Sequence, residues 1–337
     1  MRKVRILKTK KAFTLLELTM VIVVLGIVAS IGSSIIAQVY EQYILQRATH
    51  RASLKTELAA QQIANLLSYR IPRTTIARQP ANLSNAIYVT DPTNMTDNIH
   101  TQLEWIGTDN DGFSADIPPS WNGFCDVNAS TQNSVRTPGS RLLNSTASHA
   151  AAHDILSNLS NGNVSLDAAG QHPAIFFRDR HRRYSDDIAG NEVTMKALPD
   201  GTDPACLGMV SSDRSCISTV SAADDENFAF QWDNGNTQKV ISEHYKLAWS
   251  AYSICPRPRG GNHYDLILHY NYQPWEGERL DGQNCNPTVG ESAILITNVT
   301  VFKFAESGNT FRFKLCAQES IGGDTNVTIC KEKAVIL

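Results

Sequence analysis

The sequence predicts an α+β protein in which one long N-terminal helix packs against a body of antiparallel sheet. Three observations predict this fold: a continuous apolar run near the N-terminus, a repeat of apolar residues at intervals of three and four after it, and short segments of alternating polarity toward the C-terminus. The chain has 337 residues, of which 42% are hydrophobic and 19% are charged. This composition excludes a wholly disordered chain, and a mean hydropathy of −0.24 excludes a membrane protein with many spans.

The predicted helix has two parts that differ in polarity. Residues 13–37 form an apolar run of 25 residues, which exceeds the roughly 20 residues that a bilayer-spanning helix needs. Residues 38–71 continue the helical period with a narrow apolar stripe among polar residues, and Pro72 ends the helix. We therefore divide the chain into a basic leader at 1–12, these two helical segments, and a globular domain at 72–337.

Basic residues are concentrated at the N-terminus. Residues 1–12 hold six of the 30 basic residues and no acidic residue, so the rest of the chain has 24 basic against 33 acidic residues. A basic flank favours the cytoplasmic side of a membrane. We therefore expect a single-pass protein with a cytoplasmic N-terminus, and an acidic body that is a poor match for nucleic acid.

Glu17 is unusual because it lies within the apolar run. An isolated ionised carboxylate at membrane depth costs roughly 2.5–3.5 kcal/mol, and less near the interface. Such a group therefore either reaches the membrane surface or has a positively charged partner.

The segment from Lys10 to Glu17, KKAFTLLE, resembles the cleavage site of type IV pilins and type II secretion pseudopilins. The resemblance implies that a prepilin peptidase cuts between Ala12 and Phe13, that the amino group of Phe13 is N-methylated, and that Glu17 forms a salt bridge with the Phe13 amine of a neighbouring subunit. It also implies assembly with other pilins or pseudopilins on an inner-membrane platform, with the body in the bacterial periplasm. The chain departs from the family in one position, because Ala12 stands where Gly is almost always found.

The resemblance and the length of the chain together predict a structural role. Major subunits of this family are usually much shorter, so we expect a minor pilin or minor pseudopilin that acts in filament initiation or tip assembly for secretion, adhesion or DNA uptake. The sequence contains no Walker loop, dinucleotide fingerprint or GxSxG motif, so we do not expect an enzyme. The alternative is a single-pass, membrane-anchored periplasmic binding protein or enzyme whose anchor resembles a pilin.

Gly26 and Gly32 are poor helix formers inside the apolar run. Two interpretations are open. Small residues allow helices to pack closely, or this stretch partly unwinds when the subunit leaves the bilayer for a filament.

The body is predicted to form an antiparallel meander near the C-terminus. The last two strands form a hairpin around Gly322 and Gly323, and a short helix extends from Thr146 or Ser148 to Leu159. The alternating segments predict strands at 100–107, 174–178, 245–254, 264–272, 293–304, 310–317 and 326–337.

All seven cysteines lie after residue 124, which suits loop-closing disulfides in an oxidising compartment. No CxxC motif occurs, and the odd count leaves at least one thiol unpaired in a monomer. The expected pairs are Cys206 with Cys216, Cys255 with Cys285, and Cys316 with Cys330.

Three side chains near residue 110 resemble part of a calcium loop. Asp109, Asn110 and Asp111 supply oxygen ligands, and Gly112 allows a sharp turn. The spacing of an EF-hand is not met, so an ordinary turn rich in Asp and Asn is the competing interpretation. We expect no other cofactor.

His149 and His153 lie four residues apart on the predicted short helix, so both would project from one face. This spacing is compatible with a metal site. The HAAAH sequence lacks the glutamate of HExxH, which favours two ordinary surface histidines.

The basic cluster of the body lies between residues 178 and 183. Its arginines could contact phosphates of nucleic acid, but neighbouring aspartates favour an ion-paired loop or a contact between subunits. The cluster consists of Arg178, Arg180, Arg182 and Arg183.

Overall fold

Helix α1 extends without a break from Leu15 to Ser68. Its 54 residues give a rod of about 80 Å at 1.5 Å per residue. The Thr14 hydroxyl caps the first turn by accepting a hydrogen bond from the Glu17 amide at 3.3 Å, and Tyr69 follows the last turn. The computed structural model describes residues 14–80, 82–90, 98–131, 133–167, 169–177, 204–214, 217–231, 241–280, 285, 288–322 and 325–336.

The helix lies against an eight-stranded antiparallel sheet, so the predicted α+β class is confirmed. Its order in space is β13-β12-β11-β10-β9-β3-β1-β2, and β9 to β13 form the expected C-terminal meander. The strands are β1 (Ile76–Gln79), β2 (Asn82–Tyr88), β3 (Gln102–Ile106), β9 (Ala251–Gly260), β10 (His263–Tyr272), β11 (Glu291–Ser307), β12 (Thr310–Gly322) and β13 (Thr325–Ile336).

A second, five-stranded antiparallel sheet has the order β4-β7-β6-β5-β8. Two short helices accompany it, α2 (Asn110–Ser114) and α3 (Ala152–Leu159). Its buried residues form a core of their own around Trp121, Phe228 and Leu247. The strands are β4 (Ser134–Arg136), β5 (Ala174–Phe177), β6 (Ser218–Ala222), β7 (Asn227–Phe230) and β8 (Tyr245–Ala248).

The second sheet is an insertion in the first. Strands β3 and β9 are direct neighbours, with Leu103 opposite Ile254 and Ile106 opposite Ala251. The chain therefore leaves the large sheet after β3 and returns at β9, and the described strands between them belong to the small sheet. The hydrogen bonds between β3 and β9 therefore join the two parts of the large sheet that the insertion separates along the chain.

The prediction of one strand over 245–254 is wrong. The structure has two strands there, β8 in the small sheet and β9 in the large sheet. The break lies at Trp249 and Ser250, where the Ser250 carbonyl accepts from the Gly107 amide at 3.2 Å and the Ser250 hydroxyl accepts from the Asn271 amide at 2.8 Å. The first bond joins the two ends of the insertion, and the second connects the insertion to β10 of the large sheet.

The prediction that the short helix begins at Thr146 or Ser148 is also wrong. Helix α3 begins at Ala152. Residues 146–151 instead form a turn in which the His149 amide donates to the Thr146 hydroxyl at 3.1 Å and the Ala151 amide donates to the Ser145 hydroxyl at 2.8 Å. The amides of Ala152 and His153, which such a helix would bond to carbonyls four residues earlier, donate instead to the carbonyls of Arg141 and Leu142 at 2.8 and 2.9 Å. The helix therefore starts later.

Two of the predicted disulfides are present. Cys255 is bonded to Cys285, and Cys316 is bonded to Cys330. The second bond joins facing residues of β12 and β13, as the predicted hairpin requires. Cys206 is also disulfide-bonded, and its predicted partner Cys216 lies outside the described residues. Cys125 is buried and is the free cysteine of the described part of the chain.

Candidate functional site: the two halves of the N-terminal helix

The first half of α1 projects away from the body and is apolar on all sides. Every large apolar side chain from Leu15 to Tyr43 is more than half exposed. This is the one helix among the described residues that is long and apolar enough to cross a membrane. A helix that is apolar all round requires a nonaqueous environment or a partner, so this half is consistent with a single-pass anchor.

Glu17 lies in the first turn of this half, and its side chain is exposed. A carboxylate at this position interacts favourably with the positive end of the helix dipole. The exposure of the Glu17 side chain also makes its carboxylate accessible to a charged group outside the chain. Ala12 and Phe13, the predicted cleavage and methylation residues, lie outside the described residues, so the processing of this segment stays a prediction.

Gly26 and Gly32 are helical, and α1 continues through both. A Cβ atom added at either position would meet no atom within 4 Å. The surface around both glycines is therefore open within this chain. Neither unwinding nor close packing against another helix is tested by this arrangement, and both interpretations stay open.

The second half of α1 packs on the large sheet. Alanines on one face, including Ala52, Ala59 and Ala60, are buried, and their small side chains let the helix backbone approach the strands closely. Ile63 and Leu67 continue the same buried face. The partners on β11, β12 and β13 are Phe302, Phe304, Phe311, Phe313, Leu315 and Val335.

A buried ion pair lies at the C-terminal end of this helix–sheet interface. Arg70, which is fully buried, pairs with Glu306 on β11 at 2.7 Å. Its guanidinium also donates to the Leu67 carbonyl at 3.0 Å and lies 5.4 Å from the centre of the Phe311 ring. One side chain therefore caps the last turn of α1 and ties that turn to two strands of the sheet.

Exposed ion pairs line the rim of the same interface. Glu57 on α1 lies 2.5 Å from the Lys333 ammonium and 3.3 Å from that of Lys331, both on β13. The hydrogen bonds from Lys333 and then Lys331 lower the pKa of Glu57. Lys55 pairs with Glu319 at 3.0 Å. Opposite charges thus align the helix along β12 and β13.

Asp109 of the predicted calcium loop is the N-terminal cap of α2. Its buried carboxylate accepts hydrogen bonds from the Gly112 amide at 2.8 Å and from the Trp121 indole at 3.0 Å. Burial raises the pKa of Asp109 to about 6. Asn110 and Asp111 lie in α2, and the Asp111 side chain is exposed. The loop therefore serves as a helix cap here, and calcium binding stays a prediction.

The two histidines considered as a metal pair do not lie on one helical face. His149 precedes α3 and contacts the Asp116 carboxylate through Nδ1 at 3.0 Å, whereas His153 is in α3 and its Nε2 lies 3.8 Å from Asp167. The prediction that both histidines project from one face of a helix is therefore wrong. No group of three His, Cys, Asp or Glu side chains that could hold a metal ion occurs within the described part of the chain.

The four arginines predicted as a phosphate-binding cluster, at 178, 180, 182 and 183, lie outside the described residues. Their contact with nucleic acid or with another subunit stays a prediction.

Sequence reasoning missed the ionic contacts that hold α1 on the sheet. Arg70 and Glu57 lie beside the apolar stripe of residues 38–71, and charged residues at the border of such a stripe are a usable signal for an interface rim. Their partners Glu306, Lys331 and Lys333 are more than 230 residues away in the chain, so no local pattern could have paired them.

The chain was compared with protein-family models, with curated proteins and with solved structures, and none of them matches. The long apolar helix followed by a sheet-rich body is compatible with a pilin-like architecture.

Proposed function

We propose that this protein is a minor subunit, pilin or pseudopilin, of a type IV pilus-like or type II secretion-like filament. In this role it is cut and methylated at Phe13 in the inner membrane and acts in filament initiation or tip assembly. Its action is mechanical: the first half of α1 joins the filament, and the body is carried on the second half.

One observation carries this proposal: a single unbroken helix is apolar and unpartnered in its first half and forms part of the body's core in its second half. A simple anchor needs only a span and a linker. Here the rigid helix transmits any force on the anchor directly to β11, β12 and β13. Such a continuous connection supports a subunit that polymerises through its anchor.

The sequence around the start of α1 adds chemical support. The KKAFTLLE segment places a small residue before the apolar run, so cleavage there would retain the hydrophobic helix. It would also place a new amine four residues before Glu17. An exposed carboxylate in an apolar segment and a free amine on a neighbouring copy or relative are complementary charges.

The decisive experiment is coexpression with a prepilin peptidase. We expect the intact mass of the full chain to fall by residues 1–12 and to rise by one methyl group. Replacement of Ala12 by Gly should preserve this cleavage, whereas a bulky residue at position 12 should block it. A chain that keeps Met1 in the presence of an active peptidase would refute the proposal.

A second test separates processing from assembly. Glu17→Ala should leave the peptidase product unchanged but reduce incorporation into filaments, because the neighbouring Phe13 amine would lose its charge partner. Glu17→Gln is the control for side-chain size. Incorporation of the Glu17→Ala protein at the level of the natural chain would exclude the salt bridge.

A membrane-anchored periplasmic binding protein or enzyme is the second candidate. The insertion favours it, because the described part of residues 107–250 has a core of its own around Trp121 and Phe228, beside a second cluster that it shares with the large sheet. This insertion holds 18 of the 33 acidic residues and 10 of the 30 basic residues, so it carries nearly all the net negative charge of the body. An uncut chain with the body outside the membrane would support this candidate.

A further inference from the structure

The face of α1 opposite the sheet carries two tyrosines and two arginines directly after the apolar run. At 3.6 residues per turn, Tyr40, Tyr43, Arg47 and Arg51 fall within an arc of roughly 80°. All four side chains are exposed, and we call them the headgroup stripe. This stripe begins where the candidate membrane span ends and extends past Ala48, the first buried residue of the sheet-docked half, on the opposite face of the helix.

The basic residues on α1 and just after it differ in whether the body provides them with an acidic partner. Lys55 and Arg70 pair with Glu319 and Glu306. Arg47 and Arg51 are exposed and have no acidic partner among the residues that the structure describes. The two arginines nearest the membrane span are therefore the two whose charge the body leaves unpaired.

Of the two arginines, Arg47 is close enough to the span for its side chain to approach the headgroup layer, which extends roughly 5–8 Å beyond the hydrocarbon core on each side, and Arg51 lies one turn further out. If the hydrocarbon core ends near Ala37, the Cα atom of Arg47 lies about 15 Å further along the helix and that of Arg51 about 21 Å. Side chains on a helix point toward its N-terminus, here toward the membrane, and a long arginine extends several ångströms further in that direction. Tyr40 and Tyr43 then occupy the interface, which is where tyrosine is enriched.

We propose that the headgroup stripe binds the phosphate groups of membrane phospholipids, with a preference for anionic lipids. The inference rests on the membrane insertion that the proposed function also assumes. Arg47 donates to lipid phosphate, Arg51 attracts anionic headgroups over about one Debye length, and Tyr40 and Tyr43 fix the helix at interfacial depth. Together they hold the body at one height above the bilayer before assembly, so that the second half of α1 stays free of lipid.

The test uses the full-length protein in phosphatidylcholine vesicles that contain a trace of spin-labelled phosphatidylglycerol or spin-labelled phosphatidylcholine. Electron paramagnetic resonance measures the fraction of labelled lipid that the protein immobilises. The double variant Arg47→Gln with Arg51→Gln is compared with the control Arg312→Gln with Lys314→Gln. The control removes the same charge from an exposed position on β12.

We expect the natural chain and the control to prefer phosphatidylglycerol by a factor of the order of ten, since each arginine near a membrane surface contributes about a factor of five. The stripe variant should lose most of this preference. Equal selectivity in the stripe variant and the control would overturn the proposal. Loss of selectivity on addition of inorganic phosphate would also overturn it, because it would indicate a general anion site.

Alkaline extraction of the same vesicles checks insertion separately. Protein that is extracted has not inserted, and that result contradicts the proposed function as well as the lipid site. Protein that resists extraction but shows no lipid preference contradicts the lipid site alone. If the stripe variant instead changes only crosslinking between neighbouring helices, the stripe is a protein interface and the lipid proposal is wrong.

Discussion

The two halves of α1 have the same secondary structure and opposite environments. The first half exposes Leu, Ile and Val on every side, whereas the second half buries a face rich in alanine and exposes polar residues on the other. Continuity of the backbone through Ser68 means that helix propensity does not distinguish them. The halves differ instead in their surfaces: the second half has polar residues around one buried face, whereas the first half is apolar all round and has no buried face within the chain.

The electrostatics of the two halves differ in the same way. Charged side chains near the second half find partners on the sheet, as Arg70 does with Glu306. Glu17 and Arg47 in and near the first half are exposed and have no ion-pair partner among the described residues. The body therefore completes the interactions of the second half, and the first half depends on molecules outside the chain.

The largest expected effect comes from Arg70→Ala. Glu306 would remain almost buried without a counterion, so we expect a loss of about 3–5 kcal/mol in the free energy of unfolding. The control is Lys55→Ala, whose exposed pair with Glu319 should contribute less than about 1 kcal/mol. Urea unfolding followed by tryptophan fluorescence measures both, since all five tryptophans lie at or after residue 105. Equal losses in the two variants would show that burial does not separate these pairs.

A somewhat smaller effect is expected from Ile63→Ala, which tests the two halves directly. Ile63 is fully buried against the sheet, and truncation of such a residue costs about 2–4 kcal/mol. Ile31→Ala removes the same atoms from the first half, where the side chain is 56% exposed. We expect the urea midpoint of the body to fall for Ile63→Ala only. A comparable fall for Ile31→Ala would mean that the first half also packs on the body.

The smallest effect is expected from Glu57→Gln at the rim. Lys333 and Lys331 lower the pKa of Glu57 in the folded state, so its ionised form favours folding. This contribution is present above the usual pKa of 4.5 and is lost as the pH falls through the lowered value. Glu57→Gln should therefore reduce the melting temperature slightly at pH 7 and low salt, and the difference should vanish in acid and at high salt. A difference that persists in acid would exclude the charge as its cause.

Local patterns predicted much of the fold. The period of α1, the alternation in β10 to β13 and the short connection between β12 and β13 involve residues that are neighbours in the chain. The pairing of Cys316 with Cys330 follows from that hairpin. The predicted start of α3 was wrong because the amides of Ala152 and His153 bond to the carbonyls of Arg141 and Leu142, a contact that the sequence alone does not show.

By itself, the sequence determined the long helix, the strands of the C-terminal meander, which half of α1 is apolar all round, and where the basic residues of positions 1–12 and Glu17 lie. It did not predict the short strands β1, β2, β4, β6 and β7. Only the tertiary structure decided that β3 pairs with β9 across residues 107–250, that the chain changes sheets at Ser250, and that Arg70 meets Glu306. The physical reason is distance along the chain. Periodicity and turn preferences act over a few residues, whereas strand pairing and burial of charge depend on backbone and side-chain partners that only the folded chain brings together.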